Sequence, residues 1–197
     1  NLDTLLTTDA AYDASRYYSS FNQAFQWDGG QWAVPVGGDV YGLIYNREAF
    51  DTANLGYPSA TWTLADFENA ARTLAIYDND NQVQQAGVQT YITAGDILLT
   101  LANTRLYDPD ALTAMPSLSD EALQIIMSYW LSLTEDGLIA AASDTGIELP
   151  PLAIGPSSLL EQGVLTATPV SFTPLPGGVT FSHARGLAVS AGTTQPE

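Results

Sequence analysis

Few residues in this sequence have the side chains that catalysis usually requires. The 197 residues contain no cysteine and a single histidine, His183, which excludes thiol chemistry, disulfides and cysteine-ligated zinc. A lone histidine is a poor metal site, so we expect His183 to have a surface or packing role. The sequence also lacks the serine-nucleophile and phosphate-loop motifs. These features favour a binding function over a catalytic one.

The charge balance is strongly acidic. There are 22 aspartates and glutamates against five basic residues, all of them arginine, which gives a net charge of −17. Such a charge opposes binding to nucleic acid or to anionic membranes and favours a neutral or cationic ligand. Two carboxylates could serve glycoside hydrolysis. With so many acidic residues a suitable pair can always be found, however, so their number gives little support to a glycosidase.

Residues 32–74 carry the clearest structural pattern. WAVPV and VYGLIYN are rich in β-branched and aromatic residues, which predicts two strands. The glycine pair 37–38 between them predicts a bend where the chain leaves one body and enters another. Asn46 is predicted to end the second strand. A helix is predicted from Thr63, because Thr63 and Asp66 can form a capping box.

A helix is also predicted near the start of the chain, from Asp9. The apolar residues that follow it form a broad stripe at helical spacing, and the stripe contains the adjacent Tyr17 and Tyr18. Adjacent tyrosines invite a metal-binding interpretation. Their place within a helical stripe favours packing in the core instead.

Further along the chain, the residue pattern predicts a short buried strand over 86–92, a helix over 119–135 and a strand over 186–190. Residues 78–85 are predicted to be a polar loop. The buried face predicted for the later helix consists of Leu123, Ile126, Met127, Trp130 and Leu131.

An ordered set of residues carries a family resemblance. The set is Pro35, Gly42 to Asn46, Phe50, Gly56, Pro58 and Thr61-Trp62. It resembles the sugar-type extracellular solute-binding proteins of ABC importers, the group that contains maltose-binding protein. The resemblance implies an α/β fold of the type II periplasmic-binding-protein kind, in which helices flank a mixed β-sheet. It also implies that the chain is a middle portion of such a two-lobe protein. Residues 37–180 would then form most of the second lobe, and residues 1–36 and 181–197 part of the first lobe and the hinge.

The same resemblance implies ligand contacts near the glycine pair and after the strand over 86–92. Asp39 would accept hydrogen bonds from ligand hydroxyls, although a solvated turn aspartate is an equally good interpretation. Tyr41 is a second candidate. Tyr91 could stack on a sugar ring or pack in the core. Thr93 and Asp96 precede the next helix, whose predicted N-cap is Asp96 and whose N-terminus would supply free N–H donors.

Gly155 and Ser157 complete the candidate site. They fall where the resembling proteins place a ligand-contacting turn. Sugar binders often have tryptophan at this place, and this sequence has Ser157. The loss of that stacking platform leaves small polar solutes other than sugars open.

The predicted function is that of the substrate-binding component of an ABC importer. Such a protein captures a small solute, here most simply a carbohydrate, in a cleft between lobes and delivers it to a membrane permease. The resemblance implies an extracytoplasmic monomer without catalytic residues, metal or cofactor. The charge implies no nucleic-acid partner. The alternatives are an acidic protein-interaction module and, with less support, a two-carboxylate glycosidase.

Overall fold

The structure is a computed structural model that describes residues 1–104, 120–142, 149–165, 167–190 and 192–193. The chain divides into two compact units. Unit one consists of Asn1–Val40 and Ser182–Glu197, and unit two of Tyr41–Phe181. The sequence also predicts a loop over residues 104–118, which contain two prolines, and all of it beyond residue 104 lies outside the described residues.

The secondary structure alternates between short helices and strands. In chain order the elements are α1 (Asp3–Thr8), a 3-10 turn (Ala14–Arg16), α2 (Ser19–Gln23), β1 (Gln26–Trp27), β2 (Gly30–Gln31), β3 (Val34–Asn46), α3 (Arg47–Thr52), α4 (Leu64–Leu74), β4 (Ile76–Tyr77), β5 (Val83–Gln85), β6 (Val88–Thr90), α5 (Ala94–Leu101), α6 (Glu121–Glu135), β7 (Ile139–Ala141), β8 (Leu152–Pro156), α7 (Leu159–Leu165), β9 (Val170–Thr173) and β10 (Phe181–Leu187).

Unit two is built on a mixed sheet. Its strands follow the order β3-β8-β6-β7, and β9 also pairs with β3. β6 runs parallel to both β7 and β8, whereas β3 is antiparallel to β8 and β9. This confirms the mixed sheet predicted from the resemblance. The strand predicted over 86–92 is confirmed only for Val88–Thr90, which form β6, and Val88 is fully buried.

The core of unit two joins the sheet to the helices. Phe67 of α4 and Trp130 of α6 stack with ring centroids 6.4 Å apart, and Ile97 of α5 is fully buried in the same cluster. The Tyr129 hydroxyl of α6 donates a hydrogen bond of 2.7 Å to the Leu64 carbonyl of α4. Burial raises the pKa of Tyr129 to about 12, so the hydroxyl stays protonated and keeps this link between the helices.

The glycine pair 37–38 does not interrupt the strand. β3 runs without a break for 13 residues through both predicted strands, and it ends at Asn46 as predicted. Glycine is needed here because the backbones of β3 and β10 lie very close together. A Cβ on Gly38 would lie 2.5 Å from the carbonyl oxygen of His183 in β10. The pair therefore permits tight strand pairing, and the predicted interruption between two strands is wrong. The chain passes from unit one to unit two shortly after the pair, at Val40–Tyr41.

The helix predicted from Asp9 is also wrong. This region forms only a 3-10 turn and the five-residue α2. The Asp13 carboxylate accepts hydrogen bonds from the backbone N–H and the hydroxyl of Ser15, and such local bonds compete with a longer helix. The prediction that the adjacent tyrosines pack in the core is wrong for Tyr18, which is 81% exposed. Tyr17 is half-buried and stacks on Tyr12.

Three further element predictions need adjustment. Residues 78–85 are not entirely a loop, because the last three of them form β5, which pairs with β4 in a hairpin. On α6, Met127 and Leu131 are 42% and 56% exposed, and Leu133 is buried in their place. The buried positions follow a strict spacing of three and four residues, which the predicted face did not keep. The last strand covers Phe181–Leu187 rather than 186–190.

The predicted capping box of α4 is confirmed. The Asp66 N–H donates to the Thr63 hydroxyl, and the Thr63 N–H donates to the Asp66 carboxylate at 2.8 Å. These hydrogen bonds lower the pKa of Asp66 below its ordinary 3.8. The contribution of the charged carboxylate to stability is therefore complete above pH 3.8 and is lost as the pH falls through the lowered pKa.

We expect Thr63→Ala to lower the free energy of unfolding at pH 7 by about 1 kcal/mol, because the cap is removed. Urea denaturation measures the change. Thr73→Ala is the matched control, since Thr73 is exposed in the last turn of the same helix and alanine has the higher helix propensity. Equal destabilisation by both substitutions would contradict the capping role.

Candidate ligand-binding site

The candidate site lies where the parallel strands β6 and β8 of unit two end. Thr90 and Ile154 are register partners in these strands, and the Tyr91 N–H donates to the Ile154 carbonyl at 2.9 Å. The chain then enters α5 after β6 and α7 after β8. We call this end of the sheet, formed by residues 90–96 and 155–158, the carboxyl edge. Ligands of open α/β sheets bind outside the carboxyl ends of the strands.

Tyr91 covers the backbone of Gly155 at this edge. A Cβ on Gly155 would lie 3.2 Å from the Tyr91 Cβ and 2.6 Å from Cδ1 of Leu159. A side chain at position 155 would therefore displace one of these two neighbours. Tyr91 is half-buried, and burial raises the pKa of its hydroxyl. The hydroxyl is thus a neutral donor and acceptor at physiological pH.

Tyr41 reaches the same edge from the antiparallel strand β3. It pairs with Pro156, and Gly42 pairs with Gly155. The ring of Tyr41 stacks on Phe181 with centroids 4.8 Å apart and planes inclined by 7°. Phe181 was not among the predicted site residues. It lies 140 positions from Tyr41 in the printed sequence, and no local pattern indicates the stack.

Helix α5 begins one turn earlier than predicted. Its N-cap is Thr93, in an extended conformation, and Asp96 lies in the first turn. The prediction of Asp96 as the N-cap is therefore wrong. The Thr93 side chain makes no capping hydrogen bond. The first N–H groups of a helix have no intrahelical acceptor, and the Asp96 carboxylate is favourable near the positive end of the helix dipole.

The remaining candidates occupy two different units. Ser157 lies between β8 and α7 and is half-buried, and its carbonyl accepts a bond of 3.1 Å from the Leu160 N–H. β8 continues through Gly155 to Pro156, so the turn begins at Ser157. Asp39 is half-buried on the part of β3 that belongs to unit one. The structure thus gathers six of the seven predicted residues on unit two, and their role towards a ligand remains a prediction.

Two other features bear on the kind of site. Within the described part of the chain, no three or more histidine, aspartate or glutamate side chains group as a metal site would. His183 is exposed. The helices among the described residues are all too short or too polar to cross a membrane.

Solved structures resemble this chain closely in fold. An ABC substrate-binding protein of Listeria monocytogenes, solved with cycloalternan, matches 98% of this chain with a TM-score of 0.76 at 22% identity. The UgpB protein of Mycobacterium tuberculosis, solved with glycerophosphocholine, matches 98% with a TM-score of 0.72 at 20% identity. An ABC-transporter solute-binding protein of Agrobacterium vitis, solved with D-mannitol, matches 98% with a TM-score of 0.63 at 17% identity.

The chain has the fold of ABC-transporter solute-binding proteins. The matches span 52%, 51% and 51% of those three chains, so this chain covers about half their length. In sequence, it matches no protein-family model and no curated protein. The structural matches confirm the fold class that the ordered set of residues predicts.

We expect Gly155→Ala to lower the free energy of unfolding by about 1–3 kcal/mol, because the added methyl group overpacks the space beneath Tyr91. Thermal and urea denaturation measure the loss. Gly95→Ala is the matched control on the same edge, since a Cβ there meets nothing within 4 Å and helix propensity favours alanine. If Gly155→Ala were as stable as Gly95→Ala, the close packing of Tyr91 on Gly155 would be refuted.

Proposed function

We propose that this chain is part of the solute-binding component of an ABC importer and that the carboxyl edge contacts a small polyhydroxylated solute. The observation that carries the proposal is the fold, which matches an ABC substrate-binding protein over 98% of the chain with a TM-score of 0.76. In this proposal, unit two is most of one lobe, and unit one is part of the other lobe with the hinge.

The chemistry of the carboxyl edge supports a solute with hydroxyl groups. Tyr91 supplies a neutral phenol, Thr93 and Ser157 supply hydroxyls, and Asp96 supplies a carboxylate. Together these groups can donate to and accept from the hydroxyls of a sugar or a polyol. The three solved neighbours bind cycloalternan, glycerophosphocholine and D-mannitol, all rich in oxygen acceptors or hydroxyls. The net charge of −17 disfavours a strongly anionic solute.

The proposed mechanism is closure of two lobes around the solute. The chain passes between the units at Val40–Tyr41 and at Phe181–Ser182, and these connections would serve as hinge segments. A solute that binds the closed form more tightly shifts the population towards that form by its difference in affinity. A permease would then receive the solute from the closed protein. This is a non-catalytic role for an extracytoplasmic, monomeric protein.

The direct test is a thermal-shift screen of the full-length protein with oligosaccharides, polyols, glycerophosphodiesters, amino acids and polyamines. A solute present at 100 times its Kd stabilises the folded state by about 2.7 kcal/mol, which raises the Tm by several degrees. We expect a shift with at least one sugar, polyol or glycerophosphodiester. No shift with any compound would favour an acidic protein-interaction module instead.

Tyr91→Ala should weaken binding of the solute that the screen identifies by at least tenfold, because the mutation removes an aromatic face and a hydroxyl from the carboxyl edge. Isothermal titration calorimetry measures the affinity. Tyr77→Ala is the matched control, since Tyr77 is 38% exposed on the β4–β5 hairpin. Equal affinities of the two variants for the solute would show that Tyr91 does not contact it.

A further inference from the structure

In unit one, β3 and β10 pair side by side, and aromatic rings pack on one face of the pair. A Cβ on Gly38 of β3 would lie 2.8 Å from the ring of Phe21. A Cβ on Gly186 of β10 would lie 2.7 Å from the ring of Phe25. The two phenylalanines therefore lie against both strands on the face to which these two glycines belong.

The opposite face of the same pair carries charged and polar side chains. Side chains alternate between the two faces of a strand, so Gly37 and Asp39 of β3 lie on this face. On β10 the residues of this face are His183 and Arg185, which are both exposed. A Cβ on Gly37 would lie 3.8 Å from Nη2 of Arg185, so the guanidinium lies across β3. We call Asp39, His183 and Arg185 the charged face of unit one.

Arg185 has no carboxylate partner in the part of the chain that the structure describes. The ion pairs among the described residues use two other arginines. Arg16 lies 3.6 Å from the Asp13 carboxylate, and Arg72 contacts two carboxylates at 2.8 Å. Acidic residues outnumber arginines by 22 to five, so an arginine that no described carboxylate neutralises keeps its guanidinium available to a ligand.

We propose that Arg185 determines the class of solute by binding one acidic group, a carboxylate or a phosphodiester, on a hydroxylated solute. The guanidinium presents its N–H donors in a planar fork that matches two oxygens of such a group. Asp39, on the neighbouring strand of the same face, can accept hydrogen bonds from hydroxyls. Sugar acids and glycerophosphodiesters carry both kinds of group. The inference rests on the proposed function, which it narrows to solutes with a single acidic group.

The charged face lies beside the two connections between the units, at Val40–Tyr41 and Phe181–Ser182. In the proposed function these connections are the hinge segments, and a solute held between the lobes lies against them. The carboxyl edge, residues 90–96 and 155–158, contains no basic residue. An acidic group on the solute therefore needs a cation from another part of the chain, and Arg185 supplies it.

The net charge of −17 does not prevent binding of a single acidic group. At physiological ionic strength, exposed charges are screened beyond about 8 Å, so carboxylates elsewhere on the surface act weakly on a group bound at Arg185. A guanidinium in hydrogen-bonding contact acts at about 3 Å. The near attraction therefore outweighs the distant repulsion, whereas a solute with several acidic groups is still disfavoured.

The test measures solute binding to the full-length protein by isothermal titration calorimetry. The probes are matched acidic and neutral pairs: D-glucuronate with D-glucose, D-gluconate with D-glucitol, and glycerophosphoglycerol with glycerol. We expect the acidic member of at least one pair to bind more tightly than its neutral partner. Arg185→Gln should weaken binding of that member by about 10- to 100-fold and of its partner by less than about threefold, because only hydrogen bonds to the charged group are lost.

Two further variants separate the role of the guanidinium from that of charge. Arg185→Lys keeps the charge without the planar fork, so it should lose less affinity than Arg185→Gln. Arg16→Gln is the matched control, because it removes the same charge from an exposed arginine of unit one that already pairs with Asp13. It should leave every affinity unchanged.

The outcomes distinguish the inference from the proposed function. Binding of neutral solutes only, or binding of an acidic solute that Arg185→Gln leaves unchanged, would overturn the inference while the proposed function stands. A lower Tm of Arg185→Gln without solute, at unchanged affinity, would assign Arg185 to an ion pair within the longer polypeptide and would also overturn it. Binding of no compound at all would contradict the proposed function and the inference with it.

Discussion

The close pairing of β3 with its neighbours is the constraint on which the rest of the structure depends. Two glycines permit it. A Cβ on Gly38 would lie 2.5 Å from the His183 carbonyl oxygen, and a Cβ on Gly42 would lie 2.5 Å from the Thr173 carbonyl oxygen. Because real Cβ atoms do not approach backbone oxygens so closely, larger residues would push the neighbouring strands away. The glycines thus allow β3 to lie close to β10 and to β9. On unit two, β3 also pairs with β8, and that register places Tyr41 beside Pro156 at the carboxyl edge.

The carboxyl edge follows from the mixed sheet. Since β6 and β8 run parallel, both end on the same side, and the residues that follow them are brought together. The edge collects a half-buried phenol, two hydroxyls, a carboxylate and the start of α5. These groups recognise hydroxyls through hydrogen bonds and through an aromatic face. The types of residue at the edge are therefore those that our proposal of an oxygen-rich solute requires.

Local signals in the sequence were sufficient for several elements. The Thr63–Asp66 capping box and the buried strand around Val88 depend on neighbours within a few positions, and both are present. Predictions from the sequence pattern were wrong where contacts between residues far apart in the chain determine the structure. The glycine pair 37–38 looks like a bend in the sequence, yet it serves close pairing with β10, which lies far along the chain. The Tyr41–Phe181 stack likewise joins residues that no local pattern connects.

The prediction of a helix from Asp9 was wrong for a different reason. Its apolar stripe predicted a buried face, but the described residues of unit one form little core to receive it, and Tyr18 is 81% exposed. An amphipathic stripe forms a stable helix mainly when another surface covers it. The same shortage of burial leaves Leu187 exposed at the end of β10. The local hydrogen bonds from Ser15 to the Asp13 carboxylate act in the same direction against a longer helix.

Our central claim is that the carboxyl edge contacts the solute. NMR of the isotope-labelled full-length protein tests it most directly, because it reports the chemical-shift change of each backbone amide. The solute is titrated in, and the change at each amide is followed. We expect the largest changes on unit two at the amides of residues 90–96 and 155–158. Largest changes on another part of unit two, with these amides unmoved at saturation, would contradict the claim.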